Sequence, residues 1–298
     1  MTRSVRTSDG VDLHVEVDDG PEPTVVLVHG FTARLEEFLL QRETLRGRAR
    51  TLLYDCRHHG RSHNGGRPRA TSIDQLGRDL GEVLDAVAPS GPVVLLGHSM
   101  GGMTIMALAR QRPELFGPRV VGAFLLATSS GGLVEVGPLG LVVRLARRLG
   151  LLQLFLWLTM LWSPVLERFR KRGTRLGRLW YRHYLFGTDD ADPEVVTLVQ
   201  DLLEQTPLTV TAAFYRTLLD HDEHASLAAM RDIPVTLLVG DADRLTPVSH
   251  SRRMAQALPD AELVVVPGAG HSVNITRQDV VDGALLRLLD RVEQQRAA

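Results

Sequence analysis

The chain has 298 residues and a formal net charge of -1, with 44% of its residues hydrophobic and 23% charged. That length holds one large domain or two modest ones, the apolar share is that of a globular protein, and a charge near zero removes the electrostatic case for nucleic acid. Cys56 is the only cysteine, so no internal disulfide forms; with no apolar leader-like run in MTRSVRTSDGVDLHVEVDDG, we expect a cytoplasmic protein.

In chain order, that N-terminal stretch alternates like two short strands around Asp9-Gly10. Strand-like runs follow at 24–30, 50–55, 92–97, 120–128, 234–240 and 261–268, each rich in β-branched residues and closed by Gly, Asp or Thr. Helical spacing fills the intervals 35–45, 73–87, 103–112, 249–258 and 280–292. Near-continuous apolar strands alternating with helices predict an α/β fold, a doubly wound and mostly parallel sheet covered on both faces. Ligands in such folds bind in the loops at the carboxyl ends of the strands.

One segment breaks the alternation. Across 131–225 no strand pattern appears and the sequence reads as successive helices, with Ser163-Pro164 and Asp192-Pro193-Glu194 as helix starts. We therefore expect a core made of 1–130 and 226–298 and an inserted helical lid at 131–225. The longest apolar run, 151–162, is too short to cross a bilayer.

The stretch LLGHSMGGM at 95–103 places Ser99 on a strand-to-helix corner and fits G-x-S-x-G, the pattern of a strained turn that lifts a hydroxyl above the end of a sheet. A neutral serine attacks poorly near neutral pH and needs a base, itself held by a carboxylate. On this architecture the chain order is serine, acid, histidine. Asp241 and Asp243 follow the strand ending at Gly240, and His271 follows the last strand in PGAGHS.

These motifs together resemble the α/β-hydrolase family. His29-Gly30-Phe31 is similar to its oxyanion loop, GHSMGG at 97–102 to its nucleophile elbow, the G-x-x-D stretch ending at Asp243 to its acid turn, and G-x-G-H at 268–271 to its histidine loop. DCRHHGRS at 55–62 resembles the family's D-x-R-G-x-G-x-S segment, with His58 where glycine often stands. The resemblance spans 29–271 and implies Ser99 as nucleophile, His271 as base and Asp243, in preference to Asp241, as the acid. It implies the backbone amides of Phe31 and Met100 as oxyanion donors, and no cofactor or metal. His98 is read as a packing residue under the elbow, and His29 as shaping the oxyanion loop.

The run Asp220-His221-Asp222-Glu223-His224 is read as a solvated surface stretch rather than a metal site. All three tryptophans, Trp157, Trp162 and Trp180, lie in the insertion and are expected to line an apolar substrate cleft. Basic residues crowd the first part of the insertion and acidic ones the later part, a pattern that also permits transient contact with an anionic membrane surface. The leading expectation is a serine hydrolase that cleaves small hydrophobic carboxylic esters through an acyl-enzyme. The same triad serves thioesterases, lactonases, C–C hydrolases, acyltransferases and perhydrolases, and a non-catalytic ligand-binding member is the remaining reading.

Overall fold

The computed structural model describes residues 1–62, 68, 71–133, 145–170, 182–187 and 193–297. Its centre is an eight-stranded sheet: β1 (Thr2–Arg6), β2 (Asp12–Asp18), β3 (Thr24–Val28), β4 (Arg50–Tyr54), β5 (Val93–His98), β6 (Val120–Leu126), β7 (Val235–Gly240) and β8 (Glu262–Val266). The spatial order is β1-β2-β4-β3-β5-β6-β7-β8. β1 and β2 form an antiparallel hairpin, β2 lies antiparallel to β4, and every later pairing is parallel.

The doubly wound arrangement follows from the residues. Along β3, Val26 and Val28 enter one apolar cluster while Val25 and Leu27 enter another on the opposite face, as the two-residue period of a strand requires. Helices α2 (Ile73–Val87) and α3 (Met100–Gln111) supply the first cluster, and α9 (Gln278–Ala297) supplies much of the second. Between α3 and α9 the chain forms α4 (Leu151–Arg170), α5 (Pro193–Glu204), α6 (Leu208–Leu219), α7 (Val248–Ala257) and α8 (Val273–Thr276), and α1 (Leu39–Thr44) precedes α2. Between β6 and β7 the described residues form helices and isolated bridges only. This is an α/β fold with a helical insertion.

Three local expectations change. The helix expected at 103–112 begins at Met100, immediately after the elbow, because Gly101 and Gly102 are helical in spite of their low propensity. The helix expected at 35–45 is a 3-10 turn, Leu35–Phe38, followed by the single-turn α1. Finally, Ser163-Pro164 does not start a helix; α4 runs through it. Pro164 has no N–H for the carbonyl of Met160, and the Ser163 hydroxyl donates to that carbonyl instead at 3.0 Å.

β4 lies on one side of β3 and β5 on the other. The sheet therefore splits its connections at β3/β5, and the loops leaving the carboxyl ends of these two strands face a common crevice. A smaller depression of about 340 Å³ lies at the opposite, amino ends of β7 and β8, beside 230–233 and 256–261.

Candidate active site

Ser99 closes β5 and holds φ 51 and ψ -114, a sparsely populated conformation for a residue with a side chain. The surrounding glycines are fixed by close approach. A Cβ on Gly101 would lie 1.9 Å from the Val28 carbonyl oxygen, and one on Gly97 would lie 2.5 Å from the Gly101 backbone. The strained serine is anchored at both backbone groups: its N–H donates to the Leu126 carbonyl at 2.9 Å, and its carbonyl accepts from Thr128 Oγ1 at 2.6 Å. Its side chain is half-buried and lines the crevice. Met100 supplies the first amide of α3, one of those that a helix leaves without an internal partner.

Across the crevice the loops after β7 and β8 meet. Asp243 Oδ2 accepts from His271 Nδ1 at 2.8 Å. The same carboxylate accepts from the Leu245 and Thr246 amides at 2.8 and 2.9 Å and from Thr246 Oγ1 at 2.8 Å. Burial pushes the Asp243 carboxyl up, but the His271 ring and the Thr246 donors outweigh it and hold the carboxyl below the ordinary aspartate value. The arrangement fixes the ring with its proton on Nδ1 and turns Nε2 into the available base. Asp241 has a different partner: it caps the Gly268 amide at 2.6 Å in an exposed position.

A second histidine–carboxylate pair, this one an ion pair, sits beneath the first and was not legible as a site in the sequence. His98 Nδ1 donates to Glu37 Oε1 at 2.9 Å, and His98 Nε2 donates to the His271 carbonyl at 3.0 Å. Glu37 Oε2 accepts the Gly30 amide at 2.8 Å. Two acceptors for two ring nitrogens require a doubly protonated imidazole. Burial pushes the His98 ring down, yet the Glu37 charge overrides it and leaves the ring above its usual value. Burial likewise pushes Glu37 up, and His98 with the Gly30 amide brings it below the ordinary glutamate value. The pair thus ties the loop after β3, the elbow after β5 and the histidine loop after β8 into one unit. His98 is a structural cation here, which goes beyond packing under the elbow.

His29 shapes the loop after β3 through two bonds: its Nδ1 donates to the Gly30 carbonyl at 2.8 Å, and its Nε2 accepts the Cys56 amide at 2.9 Å. Burial pushes this ring down while Cys56 and Asp55 push it up to about 9, yet a proton on Nε2 would cost the Cys56 amide bond, so the geometry as it stands is that of a ring protonated on Nδ1 alone. His58, at the position where the resemblance expects glycine, takes φ 65 and is buried. It is not among the residues around the crevice.

The crevice is a cavity of about 510 Å³. Ser99, His271, Phe31 and Thr246 form its floor, and α5 and α6 cover it with Leu203, Leu208, Tyr215 and other mostly apolar side chains. The tryptophan expectation is not met by the geometry. Trp157 and Trp162 are 58% and 56% exposed on α4 and are absent from the cavity wall. Trp180 lies outside the described residues. The apolar lining comes instead from leucine and valine on the two later helices, because α4 packs on α6 from outside. The 220–224 run also differs from expectation, since His221 and Glu223 are buried. His221 Nε2 donates to the Ser129 carbonyl at 2.9 Å, and Glu223 accepts Arg110 Nε at 2.8 Å.

With this geometry in view, comparison with known proteins decides the family. A profile of the alpha/beta hydrolase family matches residues 25–283. The chain belongs to that family. This alpha/beta hydrolase is 28% identical over 294 residues to a protein named putative carbamate hydrolase RutD of Caulobacter sp. (strain K31), covering 95% of this chain and 97% of that one. It is 27% identical over 278 residues to the magnesium-chelatase 30 kDa subunit of Rhodobacter capsulatus, covering 92% and 90% of the two chains. Among solved structures, a thermophilic esterase from Thermogutta terrifontis superimposes with a TM-score of 0.74 at 23% identity, covering 98% of this chain and 99% of the other. The enol-lactonase from Burkholderia xenovorans LB400 gives 0.74 at 22% identity, covering 97% and 100%. These two likenesses concern the fold.

Proposed function

We propose that this chain is a serine hydrolase that cleaves carboxylic esters carrying a hydrophobic acyl or alcohol group. The observation that carries the reading is the Asp243–His271 hydrogen bond of 2.8 Å, made on the wall of the same cavity that Ser99 lines. Ser99 Oγ attacks the ester carbonyl carbon while His271 Nε2 takes its proton. Negative charge then develops on the carbonyl oxygen and is held by the backbone amides of Phe31 and Met100. The tetrahedral adduct collapses, His271 returns the proton to the leaving alcohol, and an acyl-serine remains. Water deprotonated by His271 repeats the attack, releasing the acid and restoring Ser99. Asp243 holds the ring in the productive tautomer and stabilises its charged form throughout. Loss of one oxyanion donor costs about 3–4 kcal/mol of barrier in such sites.

The mostly apolar cavity wall supports a small hydrophobic substrate, with Arg34 and Arg244 the arginine side chains on it. On this reading 131–225 is a lid over a core formed by 1–130 and 226–298, and the protein works in the cytoplasm. Carbamates and lactones present the same kind of carbonyl, and the names of relatives make both worth including in a substrate panel. The test is a fluorophosphonate probe with wild type and Ser99→Ala, followed by aryl esters of increasing acyl length. We expect labelling and turnover in the wild type alone. Equal labelling of both proteins, or undiminished turnover by Ser99→Ala, would overturn the proposal.

A further inference from the structure

The helix α4 is out of place on a water-facing surface. Its half-buried or buried residues recur at Leu152, Leu156, Thr159, Ser163 and Glu167, the spacing of a single helix face, and this face packs on α6. Glu167 secures the contact by accepting the Leu208 amide at 2.6 Å. Ten large apolar side chains on the remaining surface are exposed, among them Phe155 at 64%, Trp157 at 58%, Leu161 at 58% and Trp162 at 56%. A continuous apolar strip of this kind marks an interaction surface. No helix among the described residues is long and apolar enough to cross a membrane, so α4 would lie along a surface rather than span one.

The charge of the sequence within and flanking the helix selects the occupant. Residues 144–182 carry ten arginine and lysine residues against one acidic residue, Glu167, in a chain whose formal net charge is -1. Arg148 and Arg168, just outside and near the two ends of the strip, are exposed. A second copy of the chain would bring two such basic segments together and repel. An anionic lipid surface complements them, accepts the apolar strip into its headgroup boundary, and favours tryptophan at that depth. We infer that α4 docks this protein on anionic phospholipid membranes, with its axis in the membrane plane. The placement has a consequence for substrate supply: α6, against which α4 packs, forms part of the cavity wall, so docking brings the cavity close to lipid-dissolved esters. The docking itself does not depend on the proposed catalysis, and Ser99→Ala should bind vesicles as the wild type does.

The experiment titrates the full chain with vesicles of pure phosphatidylcholine and with vesicles containing phosphatidylglycerol, following sedimentation and tryptophan emission. All three tryptophans fall in this segment, so the emission reports on it directly. We expect partition onto the phosphatidylglycerol vesicles with a blue shift, little onto phosphatidylcholine, and release at high salt. The pair Arg148→Gln and Arg168→Gln should weaken partition by about 25-fold, taking about fivefold for each arginine at an anionic surface. The pair Phe155→Gln and Leu161→Gln should weaken it by more than about tenfold, with ester turnover in solution and melting temperature unchanged. Absence of partition, equal partition onto both lipids, or a concentration-dependent dimer that Phe155→Gln and Leu161→Gln abolish without any vesicle binding would each overturn the inference.

Discussion

Replacing Glu37 by glutamine tests whether the lower ion pair holds the catalytic loops in register. The carboxylate serves two donors, the Gly30 amide at 2.8 Å and His98 Nδ1 at 2.9 Å, and it is the counter-charge of a buried imidazolium. Glutamine has one oxygen and so satisfies one donor, turning its NH₂ toward the other. Without the charge His98 becomes neutral: its Nε2–H keeps the 3.0 Å bond to the His271 carbonyl and its Nδ1 accepts from the glutamine NH₂, so the bonds survive but lose their charge assistance. Exchanging these charge-assisted bonds for neutral ones costs about 1–3 kcal/mol. At about 2–4 °C per kcal/mol for a domain of this size class, melting should fall by roughly 2–12 °C. The kcat/KM for an ester should fall by about tenfold because the loops after β3 and β8 are then held by weaker, uncharged bonds.

The pH dependence follows from the same pair. The Glu37 contribution is present above the ordinary glutamate value and lost as pH falls through its depressed folded value. The His98 contribution is present below the ordinary histidine value and lost as pH rises through its elevated folded value. The pair therefore stabilises most between those limits, and the Glu37→Gln variant should lose that plateau. Calorimetry over pH together with steady-state kinetics provides the measurement. A variant that melts with the wild type and retains its kcat/KM would refute the reasoning.

Asp243→Asn should fold, because the Leu245 and Thr246 amides still find an oxygen, yet lose about 10⁴-fold in kcat by placing an NH₂ against His271 Nδ1 and inverting the tautomer; ester kinetics and thermal melts check both halves. Gly101→Ala puts a Cβ 1.9 Å from the Val28 carbonyl and should cost several kcal/mol, about 3 or more, in chemical denaturation. Gly283→Ala, whose Cβ meets nothing nearer than Arg287 at 3.6 Å inside α9, should stabilise by about 0.5–1 kcal/mol. His221, pushed down to about 4 by burial, favours the fold when neutral; its contribution is whole above the ordinary histidine value and is lost as pH falls toward 4. Removing that depressed titration with His221→Gln should flatten the acid side of the stability curve by about 3 kcal/mol, and urea denaturation at several pH values measures it.

What the sequence made legible, and what it hid, divides along physical lines. Strands such as β3 and β5 are short, β-branched and buried on both faces, so their pattern speaks without the rest of the chain. The elbow and the acid and histidine turns are local motifs whose glycines answer to close contacts a few residues away, as with Gly97 against Gly101. Glu37 was invisible because its partners, Gly30 and His98, lie on other loops, and a glutamate in a helical run reads as a solvated residue until the fold closes over it. The same reason explains His221 and Glu223, which look like a charged surface run and are buried by Ser129 and Arg110. The tryptophans misled in the opposite sense. Apolar residues in an insertion suggest a cleft, but only packing says that α6 presents the inner face while α4 lies outside it.

The central claim is that Ser99 becomes acylated during turnover. Rapid acid quench of the wild type with a slowly deacylated aryl ester, followed by peptide mass spectrometry, measures it directly. The account predicts one acyl group on the peptide carrying Ser99, formed in step with the first burst of released alcohol and absent from His271→Gln. Alcohol release at full rate with no modified Ser99 at any quench time would contradict it.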